Sequence, residues 1–219
     1  MGSRLFKYAP LTAGLLLVAG VMASDKTLLT AVKDGELGRV QQLLAQGPDL
    51  NTRALDGSSA LLLATRSNQI DIARALIEAG ADVNQKNLIQ DSPYLLAGAS
   101  GHTEILKMTL AHGADLKSTN RYGGTALIPA CERGHVDTVA VLIAAGVDLN
   151  HVNRLGWTCL MEAIVLSDGG APHQQIVSQL IAAGADLNLP DSNGLSPLQQ
   201  AQQRGQSAIA QLLRDAGAH

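Results

Sequence analysis

Aromatic side chains are nearly missing from this chain. Phe, Trp and Tyr make up 2% of its 219 residues, with one Phe, one Trp and three Tyr. Its 46% hydrophobic content is therefore mostly Ala, Leu, Ile and Val. Sheets favour β-branched and aromatic residues, whereas Ala and Leu suit closely packed helices, so the composition points to an all-α fold. An excess of basic charge is also lacking. Sixteen Lys and Arg stand against 19 Asp and Glu, for a formal net charge of −3. That argues against nucleic acid and anionic membranes as partners, because phosphate binding needs concentrated Lys and Arg. No G-x-x-x-x-G-K phosphate loop occurs, and no two of the six histidines stand as His-x-x-x-His. No Ser, Cys or Thr has a base and an orienting acid within its own segment, so the chain is expected not to be an enzyme, and to hold no cofactor and no metal.

Long apolar runs are absent too. The longest, Leu11 to Met22, falls short of the roughly 20 residues a membrane span needs. It follows Arg4 and Lys7, and Val21-Met22-Ala23 closes it with modest side chains, the pattern of a secretory signal. Residues 1–23 are read as a signal peptide cut at Ala23/Ser24, leaving 24–219 as one periplasmic or secreted domain. No cysteine follows the run that could take a lipid anchor. Losing Arg4 and Lys7 moves the net charge two further units negative.

What is abundant is repetition. A glycine, a small residue, an aspartate and an apolar residue recur at Gly47-Pro48-Asp49-Leu50, Gly80-Ala81-Asp82-Val83, Gly113-Ala114-Asp115-Leu116, Gly146-Val147-Asp148-Leu149 and Gly184-Ala185-Asp186-Leu187, and Gly217-Ala218 ends the chain. The glycines are spaced by 33, 33, 33, 38 and 33 residues. A fixed period of this kind marks a stacked-repeat architecture. Each unit reads as two short helices. In the fourth, Thr125 to Ala130 opens one that ends near Gly134; Val136, Val139, Leu142 and Ile143 then recur at helical spacing until Gly146.

With these endings, the Thr-Pro-Leu-His-like segments Ser59-Ala60-Leu61-Leu62, Ser92-Pro93-Tyr94-Leu95, Thr125-Ala126-Leu127-Ile128, Thr158-Cys159-Leu160-Met161 and Ser196-Pro197-Leu198-Gln199, and the pairs Gly101-His102 and Gly134-His135, the chain resembles the ankyrin-repeat family. The resemblance implies a solenoid of about six stacked helix-turn-helix units with β-turn tips, near residues 25–53, 54–86, 87–119, 120–152, 153–190 and 191–219. Arg39 stands where its neighbours place Ile72, Ile105 or Val139, as an N-terminal cap should. The Gln-rich helix after Ser196 suggests a matching C-terminal cap.

Cys159 aligns with Ala126, five residues before Cys131 in the unit frame. Five helical residues rise about 7.5 Å and neighbouring helices lie about 8–10 Å apart. The expected Cα separation exceeds the roughly 7 Å limit for a disulfide, so both cysteines are expected to be buried thiols.

The resemblance also implies a preformed face, built from tips and first-helix ends, that binds a protein partner. Projected here, that face holds Leu55, Asp56, Ser58, Leu88, Ile89, Asp91, Arg121, Tyr122, Arg154, Leu155, Trp157, Ser192, Asn193 and Leu195, with Arg66, Glu132 and Arg133 from the helix ends. It carries more leucine than a solvated edge needs, and Trp, Tyr and Arg dominate binding hot spots. The expected partner-binding set is Leu88, Ile89, Arg121, Tyr122, Glu132, Arg133, Arg154, Leu155 and Trp157, with Asp168 in the five-residue insertion around Leu166–His173 at its rim. Exported relatives of this size include helpers associated with catalase or peroxide defence and immunity partners of secreted toxins, and a monomer is expected. The alternative is a small-molecule or haem carrier using Tyr122 or His151 as axial ligand.

Overall fold

The computed structural model describes residues 28–219, so the expected leader and its Ala23/Ser24 cut lie outside the described residues. Helical residues 28–33 (α1) are followed by α2 (Leu37–Leu44), α3 (Ala60–Arg66), α4 (Ile70–Glu78), α5 (Pro93–Ala99), α6 (Thr103–Ala111), α7 (Leu127–Glu132), α8 (Val136–Ala144), α9 (Cys159–Val165), α10 (Ala171–Ala182), α11 (Pro197–Gln203) and α12 (Ser207–Asp215). Among the described residues the only strand-like pairing is an isolated antiparallel bridge between Arg53 and Ser59. The chain is therefore all-helical, a row of helix pairs. Odd-numbered helices from α3 to α11 pack side by side in one layer; even-numbered helices from α2 to α12 form the second.

Local chemistry sets each pair. Ser59, Ser92, Thr158 and Ser196 cap the first helices, their hydroxyls accepting from the backbone N–H of Leu62, Leu95, Met161 and Gln199. Such a cap is worth about 1 kcal/mol. Second helices end in a left-handed glycine such as Gly146, at φ +82°, a backbone state that costs other residues a Cβ clash. Between the layers lie Leu61, Leu76, Ile105, Leu106, Leu127, Leu142, Leu160, Ile164 and Leu180, all essentially without solvent contact. Arg39 is exposed where its counterparts Ile72 and Ile105 are buried; the 33-residue period puts Thr138, also buried, rather than Val139 in that slot of the fourth unit. The first described pair thus turns a charged residue to solvent where the others pack.

The two cysteines correct the sequence-based expectation: Cys131 and Cys159 form a disulfide, with their Cα atoms 5.5 Å apart. The error lay in stacking neighbouring first helices level. They are staggered, so the last turn of one meets the first turn of the next. One unit earlier the same two slots hold Gly98 and Ala126, where a Cβ on Gly98 would stand 2.8 Å from that of Ala126. At that junction the close approach leaves no room for a larger residue at Gly98.

The insertion in the fifth unit also differs from a plain loop. Asp168 Oδ1 accepts from Gly170 N at 2.8 Å, and Pro172 sits in the first turn of α10. Pro is tolerated there because its missing N–H has no helical acceptor anyway. Part of the insertion thus lengthens α10 to 12 residues, against 9 in α4, α6, α8 and α12. His173 consequently lands in the slot of His135. Its Nε2 lies 3.0 Å from the carbonyl oxygen of Glu132, and the ring packs on Gly134 much as that of His135 packs on Gly101. A Cβ on Gly101 would come within 2.7 Å of His135 Nδ1.

A side-chain ladder ties the units along the edge of the Asp residues. Asn84 Oδ1 accepts from Asp115 N, Asn150 Oδ1 from Asp186 N and Asn188 Oδ1 from His219 N, at 2.8, 2.9 and 3.0 Å. Lys117 occupies the corresponding position before Asp148 and offers no acceptor. Lys117→Asn is expected to add the missing bond and raise stability by about 0.5–1 kcal/mol, read as a higher urea midpoint; an unchanged midpoint would show that the ladder contributes nothing there.

Candidate functional site

Four of the five tips are built on one acceptor. Asn87, Asn120, Asn153 and Asp191 each take two backbone N–H groups on Oδ1, from Ile89 and Asp91, Tyr122 and Gly124, Leu155 and Trp157, and Asn193 and Leu195, at 2.9–3.1 Å. Side-chain acceptors of this kind close a turn without a partner strand. Tips also bond to one another: Leu88 N donates to Asp56 O, and Arg154 N to Tyr122 O. These bonds fix the residues between them outward. Leu88 is 74% exposed, and Tyr122, Leu155 and Ile89 are each about half exposed.

Between the tips and the ends of the first helices lies a groove of about 360 Å³. Five residues of the expected set line it: Arg121, Tyr122, Glu132, Arg133 and Leu155. Leu96, Ile128, Pro129 and Leu166 form its apolar wall, and Asp91, Asn153 and Glu162 add polar groups. Arg121 stacks over the Tyr122 ring, 4.8 Å from its centroid, and pairs with Asp91 at 3.6 Å. Arg133 Nη1 donates to Ala99 O at 2.7 Å.

The other expected residues are not in the groove lining. Leu88 and Ile89 stand on the tip between α4 and α5, and Arg154 reaches back to donate to Arg121 O at 2.8 Å. Trp157 is half-buried and its indole N–H is enclosed without an acceptor, so its slot does not simply point outward. Asp168 shapes the turn into α10. His151 Nε2 is engaged 2.7 Å from Gly123 O.

Glu162 was missed from the sequence. It is 5% exposed, and its Oε1 accepts from Asn153 Nδ2 at 2.6 Å. Burial first, then the nearby Glu132 carboxylate, push its pKa up to about 7, against the pull of the Asn153 bond. A signal was available: the equivalent slot in other units holds Leu63, Leu96, Pro129 and Gln200, so a carboxylate is the exception.

Together the helix-pair stack, its ladders and a groove along the tip edge define a solenoid scaffold of the kind that presents a preformed surface. The family model described as ankyrin repeats (3 copies) matches residues 11–87 and 94–191, and the chain belongs to that family. The crystal structure of an ankyrin repeat domain from Acinetobacter baumannii AYE is 57% identical, superposes with a TM-score of 0.86, and covers 88% of this chain and 98% of its own. A second solved ankyrin repeat protein, EF0377, is 41% identical with a TM-score of 0.83, covering 85% of this chain and 96% of its own. The Escherichia coli (strain K12) ankyrin repeat protein YahD is 47% identical over 58 residues; that match spans 26% of this chain and 29% of YahD. Ankyrin repeats are in general protein–protein interaction scaffolds and typically not enzymes.

Proposed function

We propose that the protein is an exported, non-catalytic binding module that captures a protein partner across its tips and groove. The observation that carries this reading is the set of half to three-quarters exposed apolar residues, Leu88, Ile89, Tyr122 and Leu155, held outward by tip-to-tip bonds beside a groove. Contiguous exposed apolar surface marks interaction sites, and a surface already held in place loses little conformational entropy on binding. Export rests on the Arg4, Lys7 and Leu11–Met22 pattern, and the Cys131–Cys159 disulfide favours it, since such bonds persist in oxidising compartments.

Site-specific photo-crosslinking in cells tests the surface. A benzophenone side chain at Tyr122 or Leu155 is expected to give a discrete, higher-mass adduct, while the same group at Arg74 or Ser178, both exposed on second helices, gives none. Adducts from the second-helix positions alone would move the binding surface elsewhere.

A further inference from the structure

We infer that the groove is a receptor for a basic side chain, an arginine or lysine that the protein partner inserts between Glu132 and Glu162. The inference rests on the proposed groove function and adds the chemistry of what enters it.

The argument starts from a link that occurs twice. In the fifth unit Asn153 Nδ2 donates to Glu162 Oε1 at 2.6 Å. In the sixth, Gln200 Nε2 donates to Asp191 Oδ2 at 2.7 Å. The same slots are joined, but the carboxylate has changed sides. Asp191 carries its charge on the tip, where it also takes two backbone N–H groups, and these donors hold its pKa below the ordinary value. Glu162 carries its charge on the helix, facing the groove, with one donor. A neutral residue would serve the fold at this slot, as Gln200, Pro129 and Leu96 do in their own units. The buried carboxyl of Glu162 therefore costs stability that a neutral acceptor for Asn153 would not.

Among the described residues no donor reaches Glu162 Oε2, and no cation lies within 4 Å of Glu132 or Glu162. The nearby cations are already engaged, Arg121 by Asp91 and Tyr122, and Arg133 by the carbonyl of Ala99. Two carboxylates at the end of an apolar wall suit a side chain with an apolar stem and a cationic head. A guanidinium has five donors and can bridge both.

The test uses the full chain, with Nα-acetyl-arginine amide as probe and the uncharged Nα-acetyl-citrulline amide as control, followed by NMR through the Asn153 side-chain amide. The expected result is a saturable shift with the arginine probe, at least tenfold weaker with citrulline and at least tenfold weaker again for Glu162→Gln with the arginine probe. Because Gln keeps an acceptor for Asn153, this variant stays folded. Equal response to both probes, or an undiminished response in Glu162→Gln, overturns the inference. The crosslinking adduct at Tyr122 separates the two readings. If it survives Glu162→Gln at unchanged yield while the arginine probe gives no shift, the groove binds a protein without a cationic anchor.

Discussion

Replacing both cysteines, Cys131→Ala with Cys159→Ala, is expected to cost about 3–4 kcal/mol of stability. The two are 28 residues apart in sequence, and closing a loop of that size removes about 3–4 kcal/mol worth of conformational freedom from the unfolded chain in the chain-entropy view. Both side chains are fully buried, and alanine is a small residue of the kind the Gly98–Ala126 junction already accepts, so the packing contribution to the loss stays small. Urea unfolding of the double variant should match that of the reduced wild-type protein, and both should fall well below the oxidised wild type. If all three coincide, the bond does not hold the fold.

Glu162 gives the second large effect, through pH. Its folded pKa of about 7 lies above the ordinary glutamate value of 4.5, so the folded state binds the proton more tightly than the unfolded state. Stability tied to this group is then fully present below pH 4.5 and is lost as pH rises through 7. Glu162→Gln removes that loss and is expected to stabilise the protein by about 2 kcal/mol at pH 8, with little effect at pH 4. The difference between variant and wild type isolates this site from Asp56 and Asp191, whose lowered pKa values make their stabilisation fade as pH falls, and from His102 and His135, which burial holds below the usual imidazole range. A difference that does not change between pH 4 and pH 8 would place the Glu162 carboxyl in water.

The period of 33 residues and the glycine ladder make the helix pairs legible in the sequence, because glycine at a helix end and apolar residues at helical spacing are local facts. Arg39 was readable as a cap for the same reason. The disulfide was not, because it depends on how far one helix slides along its neighbour, a tertiary quantity that the period leaves open. His173 looked like a loop residue because five extra residues precede it, yet the added turn of α10 returns it to register. At the candidate site, sequence projection found the residues that line the groove from the tips, Tyr122 and Leu155 among them. It overlooked Glu162, whose significance lies in what it is buried against. Trp157 was selected by its tip register and residue type, and neither says which way an indole turns.

A row of stacked helix pairs bends by small rotations where one pair meets the next. Here one such joint is pinned, since the sulfur bridge fastens α7 to α9, the two helices that carry Glu132 and Glu162. The joints toward α1–α6 on one side and α11–α12 on the other have only packing and hydrogen bonds to resist such rotation. Under the binding role proposed above, a partner meets a surface whose centre is held by a covalent bond and whose flanks are held by non-covalent contacts alone.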